Sequence, residues 1–180
     1  MSVPKDDKDW TWVLSRSCPE CGFDASAAEA RAVADLLRAN AGAWPALLDD
    51  RRAAVRPVPE VWSALEYACH VRDVFRIYDE RLRRMLTEDD PLYPNWDQDQ
   101  TAVDDNYGSQ SPETVTEQLL SAAGQLARRF ESVTDDQWTR TGRRSDGASF
   151  TIDTFARYFI HDPIHHLHDV RRGLGALEEL

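Results

Sequence analysis

The sequence has no apolar run near the roughly 20 residues that a bilayer-spanning helix needs, which excludes a span of that kind. Its first ten residues, MSVPKDDKDW, are charged where a secretory leader is apolar, so the expected compartment is the cytoplasm. Positive charge is in short supply: 21 Lys and Arg stand against 32 Asp and Glu, a formal net charge of -11. That balance argues against a nucleic-acid partner, because a phosphate backbone is held by a basic surface and repelled by an acidic one. Cysteine is scarce too. Three cysteines, an odd number, argue against a disulfide framework and leave free thiols or metal ligands. Alternating strand patterns of convincing length are missing, and no internal repeat is present. The fold class that remains is all-α.

What is present reads as helix. The 180 residues suit one domain spanning 1–180, which begins with a short N-terminal extension, 1–23, that carries CPECG and is too irregular to be a domain of its own. Helix one is expected from the SAAE of 26–29, which fits a capping box, through apolar Ala30, Val33, Ala34 and Leu37 to near Pro45. Helix two lies in VWSALEYACHVRDVFRIYDERLRRML with Ser63 as N-cap. Helix three opens on Ser111 and Pro112, and helix four runs from about Phe150 to Gly173. Between helices two and three, residues 88–110 are rich in Asp, Asn, Gln and Pro and lack a sustained period. A connection this long permits helices two and three of a four-helix bundle to run parallel. TDDQWTRTGRRSDGAS, 134–149, reads as one helical turn plus loop, with Thr134 and Gln137 as a possible capping box.

Chemistry concentrates in HDPIHHLHDV, 161–170, which holds four of the five histidines. His161, His165 and His168 fall within about 60° of one another on a helix wheel. Two imidazoles four residues apart can converge on one ion, and neutral imidazole suits Zn, Ni, Fe or Cu. A pair needs a third ligand, and His70, in the middle of helix two, is the histidine found elsewhere. Three protein nitrogens leave one position open for water or substrate. The alternatives are a satisfied core histidine at 70 and a cluster that complements the helix dipole. His166 and His168 read as structural or supporting groups. Asp162 and Asp169 are solvated or capping groups, or orient an imidazole by accepting its other N–H. HDPIH is not the H-E-x-x-H of a zincin, and EYACH has the wrong spacing for a di-iron bundle.

WSALEYACHVRDVF in helix two and FIHDPIHHLHDV in helix four resemble the two signature segments of the DinB-like (DinB/YfiT) superfamily, and the resemblance covers about residues 25–175. It implies an up-down-down-up bundle and assigns His70, His161 and His165 as ligands of a divalent metal, zinc first, with nickel or iron as alternatives. Similar proteins include mycothiol-dependent maleylpyruvate isomerase and bacillithiol S-transferases, where the metal is thought to activate the thiol of the cofactor. The resemblance therefore implies a metal-dependent thiol S-transferase whose partners are a low-molecular-weight, mycothiol-type thiol and a small electrophile. The sequence departs from the family in CPECG, and it ends at Leu180 without the domain that completes the isomerase's substrate site. Cys18 and Cys21 are buried cysteines, a redox-sensitive pair, or thiolates delivered to a metal; Cys69 reads as a small core hydrophobe. Trp62, Tyr67, Tyr93, Trp96 and Tyr107 either line a pocket or pack as core and lid. Two other readings stay open: a non-catalytic metal- or redox-responsive stress protein, and a structural homodimer that binds no metal.

Overall fold

The computed structural model describes residue 3 and residues 8–178. Its frame is a four-helix bundle: α1 (Val33–Ala41) continued by α2 (Trp44–Leu48), then α3 (Ala64–Thr87), α5 (Pro112–Glu131) and α6 (Ile152–Glu178), with a short α4 (Gln98–Asp104) in the connection between α3 and α5. α3 packs on α5 and α6, and α1 packs on the same two helices. Trp44, Phe75, Leu82, Leu119, Leu126, Phe155 and Phe159 fill the space between them and are fully buried. Each such side chain contributes about 1.5–3 kcal/mol by leaving water, so the bundle needs no covalent staple.

The termini of the long helices follow local chemistry. Ser63 closes a capping box on α3: its hydroxyl accepts from the Glu66 N–H, and the Glu66 carboxylate accepts from the Ser63 N–H at 2.9 Å. The Arg56 guanidinium then grips the same carboxylate, its Nε 2.9 Å away. Ser111 caps α5 with Pro112 in its first turn, where a missing N–H costs nothing. The capping box expected at 26–29 does not form. Ser26 instead donates its backbone N–H and its hydroxyl to Asp24 Oδ1, at 3.0 and 2.5 Å, and the chain enters helix three residues later through a 3-10 turn at Ala30–Ala32. Helix one also divides, because Pro45 cannot donate to the preceding turn and instead sits in the first turn of α2.

The all-α expectation is corrected by a small sheet. β1 (Leu92–Tyr93) pairs in parallel with β2 (Thr141–Arg144), and β2 pairs antiparallel with β3 (Ser149–Thr151). Strands of two to four residues are too short to show an alternating pattern, and the Asp146–Gly147 turn, with Gly147 at φ +100, is the only local mark of the hairpin. Gly142 is required by close approach: a Cβ there would meet Met85 Cγ at 2.7 Å. The loop 88–110 is accordingly structured. β1, α4 and a 3-10 turn at Tyr107–Ser109 lie within it, and buried Tyr107 ties it to α3 by donating its hydroxyl to Asp73 Oδ2 at 2.7 Å. The N-terminal segment forms a 3-10 turn, Trp10–Leu14, that lies against α6.

Candidate metal centres

α6 carries two overlapping i, i+4 pairs, His161 with His165 and Asp162 with His166. Successive residues turn by about 100° around a helix, so the pairs reach different neighbours. Asp162 and His166 meet His70 of α3; His161 and His165 meet the N-terminal segment. Pro163 sits between the pairs, and its carbonyl accepts the buried Asn40 side-chain amide at 2.8 Å, which ties this turn of α6 to α1.

In the first group, His70 Nε2 lies 3.6 Å from Asp162 Oδ2 and His166 Nε2 lies 3.5 Å from Asp162 Oδ1. Both separations exceed the roughly 2.9 Å of a good N–H···O bond. They suit two ligands of one ion: with bonds of about 2.1 Å, donors around a tetrahedral centre stand about 3.4 Å apart. One donor atom from each of the three residues lies within 4.8 Å of the other two. Both ring nitrogens of His70, Oδ2 of Asp162 and Nδ1 of His166 are buried without a hydrogen-bond partner among the described residues. Unpaired buried polar atoms cost about 1–3 kcal/mol each, and an ion between the three side chains would satisfy one nitrogen of His70 together with the Asp162 carboxylate.

Aromatic rings pack around this group. Trp96 stacks on His70 with centroids 5.3 Å apart and planes within 7°, Trp62 stands 5.5 Å from the same ring, and Tyr67 covers His166 at 5.1 Å. Tyr93 and Tyr107, by contrast, are core residues. The front opens on a cavity of about 960 Å³ whose wall includes Asp162, His166, Trp96, Tyr78, Tyr158 and Arg81. Arg81 is buried beside the rings of Tyr78 and Tyr93, gives one N–H to the Pro94 carbonyl at 2.9 Å, and has no carboxylate in ion-pair reach among the described residues.

Burial holds the His70 imidazole below its ordinary pKa, which leaves it neutral with a lone pair to offer. Burial would also lower His166, but the carboxylates of Asp162 and then Asp169 outweigh it and carry it up to about 9. For Asp162, burial works toward a higher value and loses to the His166 and His70 rings, which hold it far below the carboxylate range. The space between these groups thus favours a net positive charge.

The second group contains Cys18, Cys21, His161 and His165, each with a donor atom within 4.8 Å of the others. Cys18 Sγ lies 3.6 Å from His165 Nδ1, and Trp10 packs against both imidazoles at 5.6 and 5.3 Å. Burial pulls His161 down to about 4 and pushes the Cys21 thiol up to about 11. All three cysteines are free thiols, and Cys69 is core.

The three residues expected to share one ion, His70, His161 and His165, are therefore divided between two groups. Asp162 and His166, expected as supporting residues, stand as donors beside His70. Asp169 does support: its Oδ2 lies 3.5 Å from His165 Nε2 and 3.7 Å from His166 Nδ1. His168 is half-buried and joins neither group. The signal for the first group was a second i, i+4 pair, Asp162-x-x-x-His166, displaced by one residue from the histidine pair.

Comparison with known proteins agrees with this arrangement at the level of fold. No curated protein matches the sequence. A solved structure, YfiT from Bacillus subtilis, described as a probable metal-dependent hydrolase with an unusual four-helix bundle topology, matches with a TM-score of 0.63 at 16% identity, covering 97% of this chain and 94% of that one. The model of the DinB superfamily matches residues 23–170, and the chain belongs to that superfamily.

Proposed function

We propose that this protein is a metal-dependent enzyme whose ion is held by His70, Asp162 and His166, and that it transfers a low-molecular-weight, mycothiol-type thiol to a small electrophile. One observation carries the reading: a donor atom from each of those three residues lies within 4.8 Å of the other two, with His70 and Asp162 Oδ2 buried and unpartnered among the described residues, beside a cavity of about 960 Å³. Two imidazoles and a carboxylate leave coordination positions free, as catalytic sites do and closed structural sites do not. Zinc is the first expectation, with nickel or iron as alternatives. When bound, the ion supplies a positive charge that keeps a thiol or a water deprotonated near neutral pH.

The remaining work falls to the chain. Trp62 and Tyr67 cover the side of the centre away from the cavity, and Trp96 stacks on His70 at the cavity wall, so access is through the cavity. Arg81, buried and without a carboxylate partner among the described residues, suits a substrate that carries an anionic group. In the transfer, the thiol gives its proton to solvent and sulfur bonds to the electrophilic carbon. The electron pair of the bond that breaks leaves with the halide, stays on the epoxide oxygen, or passes to the neighbouring carbon of a maleyl alkene, the last two then taking up a proton from solvent. The reading includes four long helices running up-down-down-up, a cytoplasmic location and a homodimer.

Hydrolysis is the second reading. YfiT is described as a probable metal-dependent hydrolase, and the same centre would here activate water in place of a thiol. The two separate by assay. Elemental analysis of wild type beside His70→Ala is expected to show loss of the cavity ion in the variant, with thiol consumption against epoxides, halides and maleyl compounds lost in parallel. Full metal content with no thiol consumption across that panel overturns the transferase reading. Turnover of esters or amides under the same conditions, lost in His70→Ala, would establish the hydrolase.

A further inference from the structure

We propose that Cys18, Cys21, His161 and His165 form a second metal site, a closed zinc site that fastens the N-terminal segment to α6. It is independent of the cavity centre and of the reaction proposed there. The donor set is two thiolates and two imidazoles, in the spacing Cys-x-x-Cys and His-x-x-x-His common to tetrahedral structural zinc. All four donor atoms lie within 4.8 Å of one another. With bonds of about 2.3 Å to sulfur and about 2.05 Å to nitrogen, a sulfur and a nitrogen on one tetrahedral ion stand about 3.6 Å apart. Cys18 Sγ and His165 Nδ1 are 3.6 Å apart.

The backbone between the cysteines is shaped to bring both sulfurs to one point. The Cys18 N–H donates to the Phe23 carbonyl and the Gly22 N–H to the Cys18 carbonyl, both at 2.9 Å. That closure needs Gly22 at φ +75, a left-handed conformation that glycine adopts freely.

The imidazoles are oriented as ligands. His161 is buried, and its Nε2 has no hydrogen-bond partner among the described residues. His165 turns Nδ1 to Cys18 and Nε2 toward two carboxylates, Asp169 at 3.5 Å and Glu20 at 3.8 Å. A carboxylate behind the far nitrogen is how proteins set the tautomer of a metal-ligating histidine. Glu20 lies within CPECG itself, so the same short loop supplies two ligands and a supporting charge.

Four protein ligands fill a tetrahedron and leave no position for substrate, which makes the site structural. The segment has need of one. Of residues 8–25, only Val13, Cys18 and Ala25 are buried; Leu14 and Phe23 pack partly against the core and Trp10 on the two imidazoles, and a bound ion would add a fixed attachment to these contacts. Trp10, in the cavity wall together with His161 and His165, is held where the segment is held.

The test uses the full chain, purified under reducing conditions and loaded with Co²⁺ in place of Zn²⁺. Thiolate-to-cobalt charge-transfer absorption is expected in wild type and in His70→Ala, and is expected to be absent from Cys18→Ser. In zinc-loaded protein, Cys18→Ser is expected to carry one zinc fewer per chain than wild type while His70→Ala keeps that zinc, and a chelator should expose the segment 8–25 to protease. Absence of the charge-transfer band from reduced wild type overturns the proposal, and that measurement stands even where Cys18→Ser fails to fold. A Cys18–Cys21 disulfide in protein purified under reduction overturns it as well. The two centres fail separately: a His70-dependent activity without the band refutes only this site, and the band without such activity refutes only the cavity reading.

Discussion

Asp169→Ala tests whether one carboxylate serves both centres. Its Oδ2 lies 3.5 Å from His165 Nε2, on the cysteine side, and 3.7 Å from His166 Nδ1, on the cavity side. Removing a group that backs a ligating imidazole costs about 10- to 100-fold in metal affinity. Both separations lie at or beyond the limit of a hydrogen bond, and Arg172 Nη2, 3.4 Å from Oδ1, already draws on the charge. The low end of that range is therefore expected, about tenfold at each centre, or about 1.4 kcal/mol. The side chain is 11% exposed, so solvent screening should not erase the effect. The assay is competition of purified protein against a chromophoric chelator, read separately for each ion by using His70→Ala to isolate the cysteine site and Cys18→Ser to isolate the cavity site. Asp169→Asn keeps an acceptor oxygen and should lose less. If Asp169→Ala weakens one ion and leaves the other unchanged, the carboxylate serves a single centre; if neither moves, it is a packing or solubility group and the bridging is refuted.

Arg81→Met should raise KM for an anionic substrate with little change in metal content, and an unchanged KM would remove Arg81 from substrate recognition. Ser63→Ala deletes the cap of α3 and should cost about 1 kcal/mol, a fall in Tm of about 2–4 °C for a chain of this size, measured by thermal unfolding. Acid should destabilise the fold through Asp73 and Glu66. Burial would raise both, but Arg72, Tyr107 and Arg76 hold Asp73 low, and Arg56 and Ser63 hold Glu66 low. A depressed folded pKa means stability that is complete above the unfolded value, about 4, and is lost as pH falls below it. Asp73→Asn should flatten the acid limb of a plot of Tm against pH, and an unaltered limb would refute the assignment.

The bundle was legible because its signals are periodic and local. Ser63, and Ser111 with Pro112, mark helix starts that the structure keeps to the residue. The failures have physical causes. The SAAE box at 26–29 was outcompeted by Asp24, whose carboxylate takes both the Ser26 hydroxyl and its N–H. The sheet escaped because β1 owes its pairing to a strand about fifty residues away: Leu92 aligns with Arg143 and Tyr93 with Arg144, a relation that no window of sequence contains.

The division of the histidines follows from one property of a helix. A residue offset of one is a rotation of about 100°, so His161/His165 and Asp162/His166 are equally good i, i+4 pairs aimed at different partners, and spacing alone does not rank them. What ranks them is the partner each meets. His70 comes from a buried position on α3 and meets a carboxylate and an imidazole. Cys18 and Cys21 arrive on a loop and meet two imidazoles, completing a set that CPECG, read alone, left half-filled. The sequence holds no second Cys-x-x-Cys, but a His-x-x-x-His pair is an equally good second half of a four-ligand set. Because consecutive residues of α6 serve the two groups, rotating or sliding that helix to improve one would spoil the other. The Asn40 bond to the Pro163 carbonyl, 2.8 Å long and buried between the pairs, is accordingly placed where it limits such rotation.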